Sequence, residues 1–583
     1  RVLVLVDDIP ALQPDAGLPN WDDYPVEDMA QVEVLKGASS ALYGTTALNG
    51  IVNLRTGYAK SEPETKAAVF YTYFDNPKDD YKKWWTGKNR PYETGASLVH
   101  KHKWKKLDAV FHGYCLSNSS YNLGFAKNYG RGGTSLRYRI NDRLTIGVNA
   151  NFNKGYSSSF FYWQDDSTGI YKGAPGTGSA NNRTRFYIDP YAKYYDANGG
   201  RHLFLGRYYY INNQSDNNRA NKSNLAYGEY QYQKRFAHSG LTLTGGVVVT
   251  ATSVTAILYS NQTFSTENYA GYVQLEKKFG DRLNLNAGVR YEINRQHNPD
   301  SIPGYKLDPV QTESQPVVRL GANYKLTDGT FLRASFGQAY RYPTVAEKYI
   351  YTDIGGAVIT PNGNLRSESG WSGEVGLKQG IKISDWGAFA DVSAFWMQYN
   401  DMIEFSLVSI LPNTMKALNI GNTRIKGIEF SLVGEGKIGK IPLRLIAGYT
   451  YIDPKYRDYD DSLYNGGKGG TVNYNVLKYR NKHSLKADVE MEFNRLTVGA
   501  GFYYYSKIES IDFLFKLIIK GIEQYNETHS NGFKTFDARV SYKITKGLKI
   551  NLVCRNLLNV EYSVRPGLLE APRNVTCKLD YTF

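Results

Sequence analysis

LNLNAGVRYEI, residues 283–293, alternates apolar and polar side chains almost without a break. Leu283, Leu285, Ala287, Val289, Tyr291 and Ile293 share one face of an extended chain, and Asn284, Asn286, Gly288, Arg290 and Glu292 share the other. The second face is too polar for a dry core, and the first is too apolar for water. A strand of a membrane barrel satisfies both, because lipid takes one face and a hydrated lumen the other. A register slip of one residue would carry Arg290 into lipid, at about 2–4 kcal/mol near the midplane.

The same pattern recurs in LTIGVNANFN (144–153), TFDARVSYKI (535–544) and VTCKLDYTF (575–583). Between such runs lie short connectors: KWKK (103–106), NDR (141–143), ANGG (197–200), AHSG (237–240), GDR (280–282), TDG (327–329), SDW (384–386), GKIGK (436–440), FNR (493–495) and TKG (545–547). They read as hairpin turns. Long aromatic and polar segments separate them, near 76–93, 117–132, 153–185, 212–225, 252–266, 294–315, 341–370, 399–422, 453–478, 507–533 and 557–572. Ten short connectors alternating with eleven long ones require twenty-two strands. The predicted fold is an all-β membrane protein, a 22-stranded antiparallel transmembrane β-barrel whose short turns face the periplasm and whose long loops face outside. Closure removes every sheet edge, as a hydrocarbon environment demands.

Composition agrees. The 583 residues include 49 Tyr and 56 Gly, and mean hydropathy is negative. The charge-free run GVVVTATSVTAILYSNQTF (246–264) is rich in Thr and β-branched residues, which favours strand over a membrane helix. The net charge of +15 is dispersed, with no basic helix or zinc spacing, so no nucleic-acid partner is expected. Anionic ligands and the anionic lipid or lipopolysaccharide surface of an outer membrane remain open as partners. Cys115, Cys554 and Cys577 fall on apolar strand positions and read as small hydrophobes. No metal site, cofactor or catalytic constellation is expected; the sequence has no nucleophile elbow and no HExxH.

One cassette breaks the pattern. VLKGASSALYGTTALNGIVNLRT (34–56) is glycine-rich and reads as helical in its middle. It lacks the Gly-Lys-Ser/Thr ending of a phosphate loop. Together with RVLVLVDDIP at the start and WDDYPVEDMAQVE before it, it resembles the second half of the plug domain of TonB-dependent outer-membrane receptors. The matching positions, in order, are Asp7, Ile9-Pro10, Pro25, Val32-Glu33-Val34-Leu35-Lys36-Gly37, Ala41-Leu42-Tyr43-Gly44 and Gly50-Ile51-Val52-Asn53. Asp8, Ala38 and Asn49 depart from it, Asp8 and Asn49 standing where that family usually has Gly. Pro343, Glu347, Asn364-Leu365, Glu368 and Glu374, the strand around Gly427-Ile428-Glu429, and the terminal segment from Asn556 to Phe583 resemble the family's barrel.

The resemblance implies a plug in residues 1–57 and a barrel in 58–583. It also implies a leader, the first half of the plug and a TonB box ahead of Arg1. Cargo would bind at the extracellular mouth, and the TonB–ExbB–ExbD complex would draw it inward past the plug without chemistry. The expected cargo is a ferric siderophore, the iron belonging to the cargo; a surface lipoprotein is a further possible partner. Cobalamin or haem import is the alternative, and a passive porin or structural barrel is the rival of a different class. Haem is disfavoured because neither the plug segment nor 341–370 contains His.

On this reading Asp15, Asn20 and Trp21 of the apical plug loop (15–24) are candidate ligand contacts. So are Trp84 and Trp85, the run Phe160, Phe161, Tyr162, Trp163, and Tyr340, Arg341, Tyr342, where rings and a cation suit flat anionic ligands. An aromatic girdle at the membrane interface explains the rings equally well. A plug–barrel ion lock is expected among Glu33, Lys36, Arg55, Glu374 and Glu429, with solvated lumen charge as the alternative.

Overall fold

A computed structural model describes residues 2–36, 43–44, 50–409, 412–458 and 475–583. The helix expected within 34–56 and much of the loop expected near 453–478 lie outside the described residues. Twenty-two strands, from Glu64–Phe74 to Asn574–Thr582, form one closed antiparallel barrel. The last strand pairs with the first, Thr576 opposite Thr72, and their hydroxyls hydrogen-bond at 2.8 Å. The run 246–264 is divided between two of these strands, Leu241–Ala256 and Thr263–Phe279.

The faces fall as the alternation requires. Val289 and Tyr291 are about half exposed on the outer surface, whereas Arg290 and Glu292 are each only 3% exposed inside. All ten short turns stand within a few residues of their expected places. Five long connectors are markedly shorter than expected: 117–132 contracts to 120–125, 153–185 to 161–177, 212–225 to 216–220, 252–266 to 257–262, and 294–315 to 298–309. The paired strands continue past the point where alternation lapses. Gly178–Tyr195, for example, is 18 residues long. Asn-rich stretches such as INNQS still form ladder hydrogen bonds, because the backbone pairs whatever side chains it carries.

Substituting Val289→Arg should lower barrel stability by about 2–4 kcal/mol if the site lies near the midplane. Unfolding titrations from phospholipid vesicles measure this, and an unchanged midpoint would refute the assignment of that face to lipid.

Inside sits a four-stranded sheet in the order Ile9–Pro10, Leu3–Val6, Gly50–Thr56, Met29–Lys36. Leu3–Val6 runs parallel to Gly50–Thr56 and is buried throughout, Val4 and Val6 packing on one face, Leu3 and Leu5 on the other. A strand covered on both faces must be apolar at every position, which explains LVLV. Asp8 has φ +72°, the left-handed conformation glycine adopts freely. Its carboxylate meets Arg55 at 2.5 Å and accepts from Asn53 Nδ2 at 2.9 Å, offsetting the backbone cost.

Candidate functional site

At the long-loop end the apex of the inner sheet, residues 11–24, rises toward the mouth of the barrel. Its side chains separate into those that hold the apex and one that does not. Asp15 is buried; it accepts from Asn221 Nδ2 at 2.7 Å, and burial pushes its carboxyl above the usual range. Asn20 is buried too, donating to the Tyr209 hydroxyl at 2.8 Å. Trp21 is 59% exposed, touching Tyr24 edge-on at 5.7 Å. Of the three expected apical contacts, Trp21 alone presents its side chain freely.

The acidic pairs that follow Trp21 dock on one wall. Asp22 meets Lys127 at 2.6 Å and Arg183 at 3.1 Å. Asp23 accepts from the Tyr209 hydroxyl at 2.5 Å and from Asn153 Nδ2 at 2.9 Å, with Arg185 at 3.6 Å. Glu27 pairs with Arg131 and lies 3.2 Å from His112 Nδ1, and Asp28 lies 2.5 Å from Lys101. Burial raises the Asp23 and Asp28 carboxyls. Burial opposes ionisation of Glu27 as well, but hydrogen bonds from His112 and Arg131 outweigh it and hold that carboxyl below its ordinary value.

These pairs were not among the expected locks. Their signal was present: Asp22-Asp23 and Glu27-Asp28 form an acidic edge, and Lys101, Arg131, Arg183 and Arg185 occupy lumen-facing positions of nearby strands. Of the expected lock, only Lys36 and Glu429 join plug to wall. Arg55 is spent within the inner sheet on Asp8 and on Glu33 at 3.2 Å, and Glu374 pairs with Arg333 of its own wall at 2.9 Å.

The expected loop aromatics form the core of a cap over the mouth. Phe160, Tyr162 and Trp163 are buried with Ile170, Tyr171, Ile519 and Tyr525. Trp163 Nε1 donates to the Lys520 carbonyl at 3.0 Å, and the Tyr162 hydroxyl to that of Gly355 at 2.7 Å. Trp85 is buried, and Trp84 donates to the Tyr121 carbonyl at 2.7 Å. Only Phe161 of the run is exposed. Tyr340 is buried and donates to Glu313; Tyr342 packs edge-on against it at 4.8 Å. Arg341 is buried between Glu368 at 2.6 Å and Glu347 at 2.7 Å, where Glu347 closes the capping box of helix Val345–Tyr349. These residues build the rim and cap, with Phe161 left exposed and Tyr342 lining a cavity between plug and wall.

Cation–ring stacking occurs at one of these rings, where the Arg565 guanidinium lies 5.4 Å from Phe161, and on the wall against which Asp22 docks. The Arg183 guanidinium lies 4.8 Å from the Tyr129 ring, Lys127 lies 5.5 Å from the same ring, and Arg131 lies 4.8 Å from Tyr114. Asp22 thus joins the loop carrying Trp21 to the Tyr129 ring and its two cations, Lys127 and Arg183. Most of these stacks lie on strands rather than in the most aromatic loops.

Comparison with known proteins matches residues 69–557 to the TonB dependent receptor-like β-barrel and residues 1–51 to the TonB-dependent receptor plug domain. The vitamin B12 transporter BtuB of Vibrio cholerae is 21% identical over all of this chain and 84% of its own length. Among solved structures, the siderophore receptor PirA from Pseudomonas aeruginosa aligns with TM-score 0.71 and 15% identity, over 100% of this chain and 91% of that one. The ferric citrate transporter FecA aligns with TM-score 0.75 and 16% identity, over 100% and 88%. A plugged barrel of twenty-two strands, matched along most of its length by the family's barrel model, is a member of the TonB-dependent receptors, transport proteins of the Gram-negative outer membrane.

Proposed function

We propose that this receptor imports an anionic ferric siderophore, which binds between the plug apex and the extracellular wall and enters when TonB–ExbB–ExbD displaces the plug. The observation that carries this reading is the exposed Trp21 ring at the apex, next in the chain to Asp22, which pairs with the Lys127 and Arg183 cations held over the Tyr129 ring. An exposed ring stacks on a flat ligand, and the cations docked on Asp22 make the neighbouring wall basic. The net charge of +15 favours an anion over a neutral cargo. We assign residues 1–57 to the plug and 58–583 to the barrel, with Lys36 and Glu429 as one latch between them. No chemistry on the cargo is assigned. The solved relatives named for siderophore and ferric citrate agree with this cargo class, whereas the relative named for vitamin B12 favours cobalamin as the second reading.

Tryptophan fluorescence titration of the purified receptor with ferric catecholate and hydroxamate siderophores, ferric citrate, haem and cyanocobalamin tests this. Saturable quenching by one ferric chelate is expected, weakened about tenfold or more in Trp21→Ala, as for an aromatic hot spot. Saturation by cobalamin or haem alone would reject the siderophore. Uptake persisting in cells without TonB would reject active import in favour of passive diffusion.

A further inference from the structure

The plug is held unevenly. Apart from the Lys36–Glu429 pair, the plug–barrel ion pairs among the described residues gather on the wall from Tyr92 to Tyr195. Arg207 extends that wall by donating to the Pro10 carbonyl at 2.7 Å. Against the strands from Asn221 to His297 the arrangement changes, and a cavity of about 240 Å³ separates plug from barrel. Leu12, Pro14 and Tyr43 line it from the plug; Tyr227, Thr250 and Asn294 line it from the wall.

Arg290 opens into this cavity. It is 3% exposed, and its Nε donates to Glu292 at 2.7 Å, while Glu292 also accepts from Asn268 at 2.7 Å. Among the described residues its Nη1 has no hydrogen-bond partner. Its Nη2 approaches the plug backbone at Gly44, where φ is +102° and an added Cβ would stand 3.5 Å away. The nearby Glu229 carboxylate accepts from the Tyr227 and Tyr272 hydroxyls. A buried guanidinium with an unused donor lacks an acceptor, and such a group is costly to leave unmade. The guanidinium fork matches a carboxylate or another paired-oxygen anion best.

We propose that this cavity is a transit subsite, below the mouth, that accepts an oxyanion-bearing arm of the cargo on Arg290. The proposal rests on the anionic-cargo reading above and adds a direction of travel: cargo descends along the stretch of wall next to the ion-paired one. The cavity holds one arm rather than a whole chelate, so the subsite acts once the plug has begun to move.

The test uses the intact receptor and two metal-free probes, citrate and 2,3-dihydroxybenzoate, with saturation-transfer NMR as the binding readout. At least one probe should bind the wild type saturably, about tenfold more weakly in Arg290→Gln, with Arg290→Lys intermediate. Siderophore affinity at the mouth should stay within about twofold in Arg290→Gln, while TonB-dependent uptake falls about tenfold. Equal probe binding in wild type and Arg290→Gln, or none in wild type, overturns the subsite. Heat-modifiable gel mobility of each variant verifies the folded barrel. The mouth titration with the chelate panel reports separately on cargo class, so a cobalamin receptor with an intact Arg290 subsite would reject one reading and keep the other.

Discussion

Arg131→Met should weaken docking of the plug by about 3–5 kcal/mol, the usual cost of removing one partner from a buried ion pair. Arg131 and Glu27 have side chains 1% and 5% exposed, and Arg131 also donates to the Asp22 carbonyl at 2.8 Å. The substitution keeps the apolar stem, so the loss comes from Glu27, which would retain only His112 as a partner at 3.2 Å. Pulse proteolysis in a urea series, scored by loss of the plug from an intact barrel, measures the change. Pairing Arg131→Met with Glu27→Leu should restore much of the midpoint, because removing both charges also removes the desolvation penalty. A single variant as stable as wild type would show that this edge of the plug is not fixed by its charges.

Lys478→Met should release the extracellular cap by a similar amount, about 3–5 kcal/mol locally. Lys478 is 1% exposed and joins three loops: it meets Asp512 at 2.9 Å and Glu404 at 3.5 Å, and donates to the Phe405 carbonyl at 3.2 Å. Burial already raises the Glu404 carboxyl, and removing the cation would leave two carboxylates facing each other in a dry site. Hydrogen exchange should quicken in the strand Ile403–Ser409 and the helix Phe513–Ile518, with the barrel strands unchanged. Unaltered protection in both elements would mean that the apolar core around Leu407, Met415 and Leu514 suffices to hold the cap.

The barrel was legible because its two signals are local. Period two assigns Leu285 and Arg290 to opposite faces from ten residues of sequence, and turn lengths assign the direction of each strand. The heights of strands such as Gly178–Tyr195 were not legible, since a strand wet on both faces loses the alternation that marks it. The candidate site was harder to read for a different reason. A ring in a long loop stacks equally well on cargo or on another loop, and the partners of Trp163 at Lys520 and Tyr525 lie more than 350 residues away. Arg341 resembled a ligand cation for the same reason, although its carboxylates, Glu347 and Glu368, stood close by in the chain. The acidic edge Asp22-Asp23 and Glu27-Asp28 could have been matched to lumen-facing cations, had parity been applied to charges as it was to apolar residues.

Gly178–Tyr195 also sets a height. At about 3.4 Å per residue and a tilt near 40°, eighteen residues rise about 45 Å, well above the roughly 30 Å of hydrocarbon. The excess forms a collar of paired backbone standing clear of the bilayer. Loops carried on a collar can open and close without dragging lipid, and the hoop in the membrane keeps its circumference while they do so. Selection of cargo and sealing of the membrane are thereby assigned to different storeys of one continuous sheet.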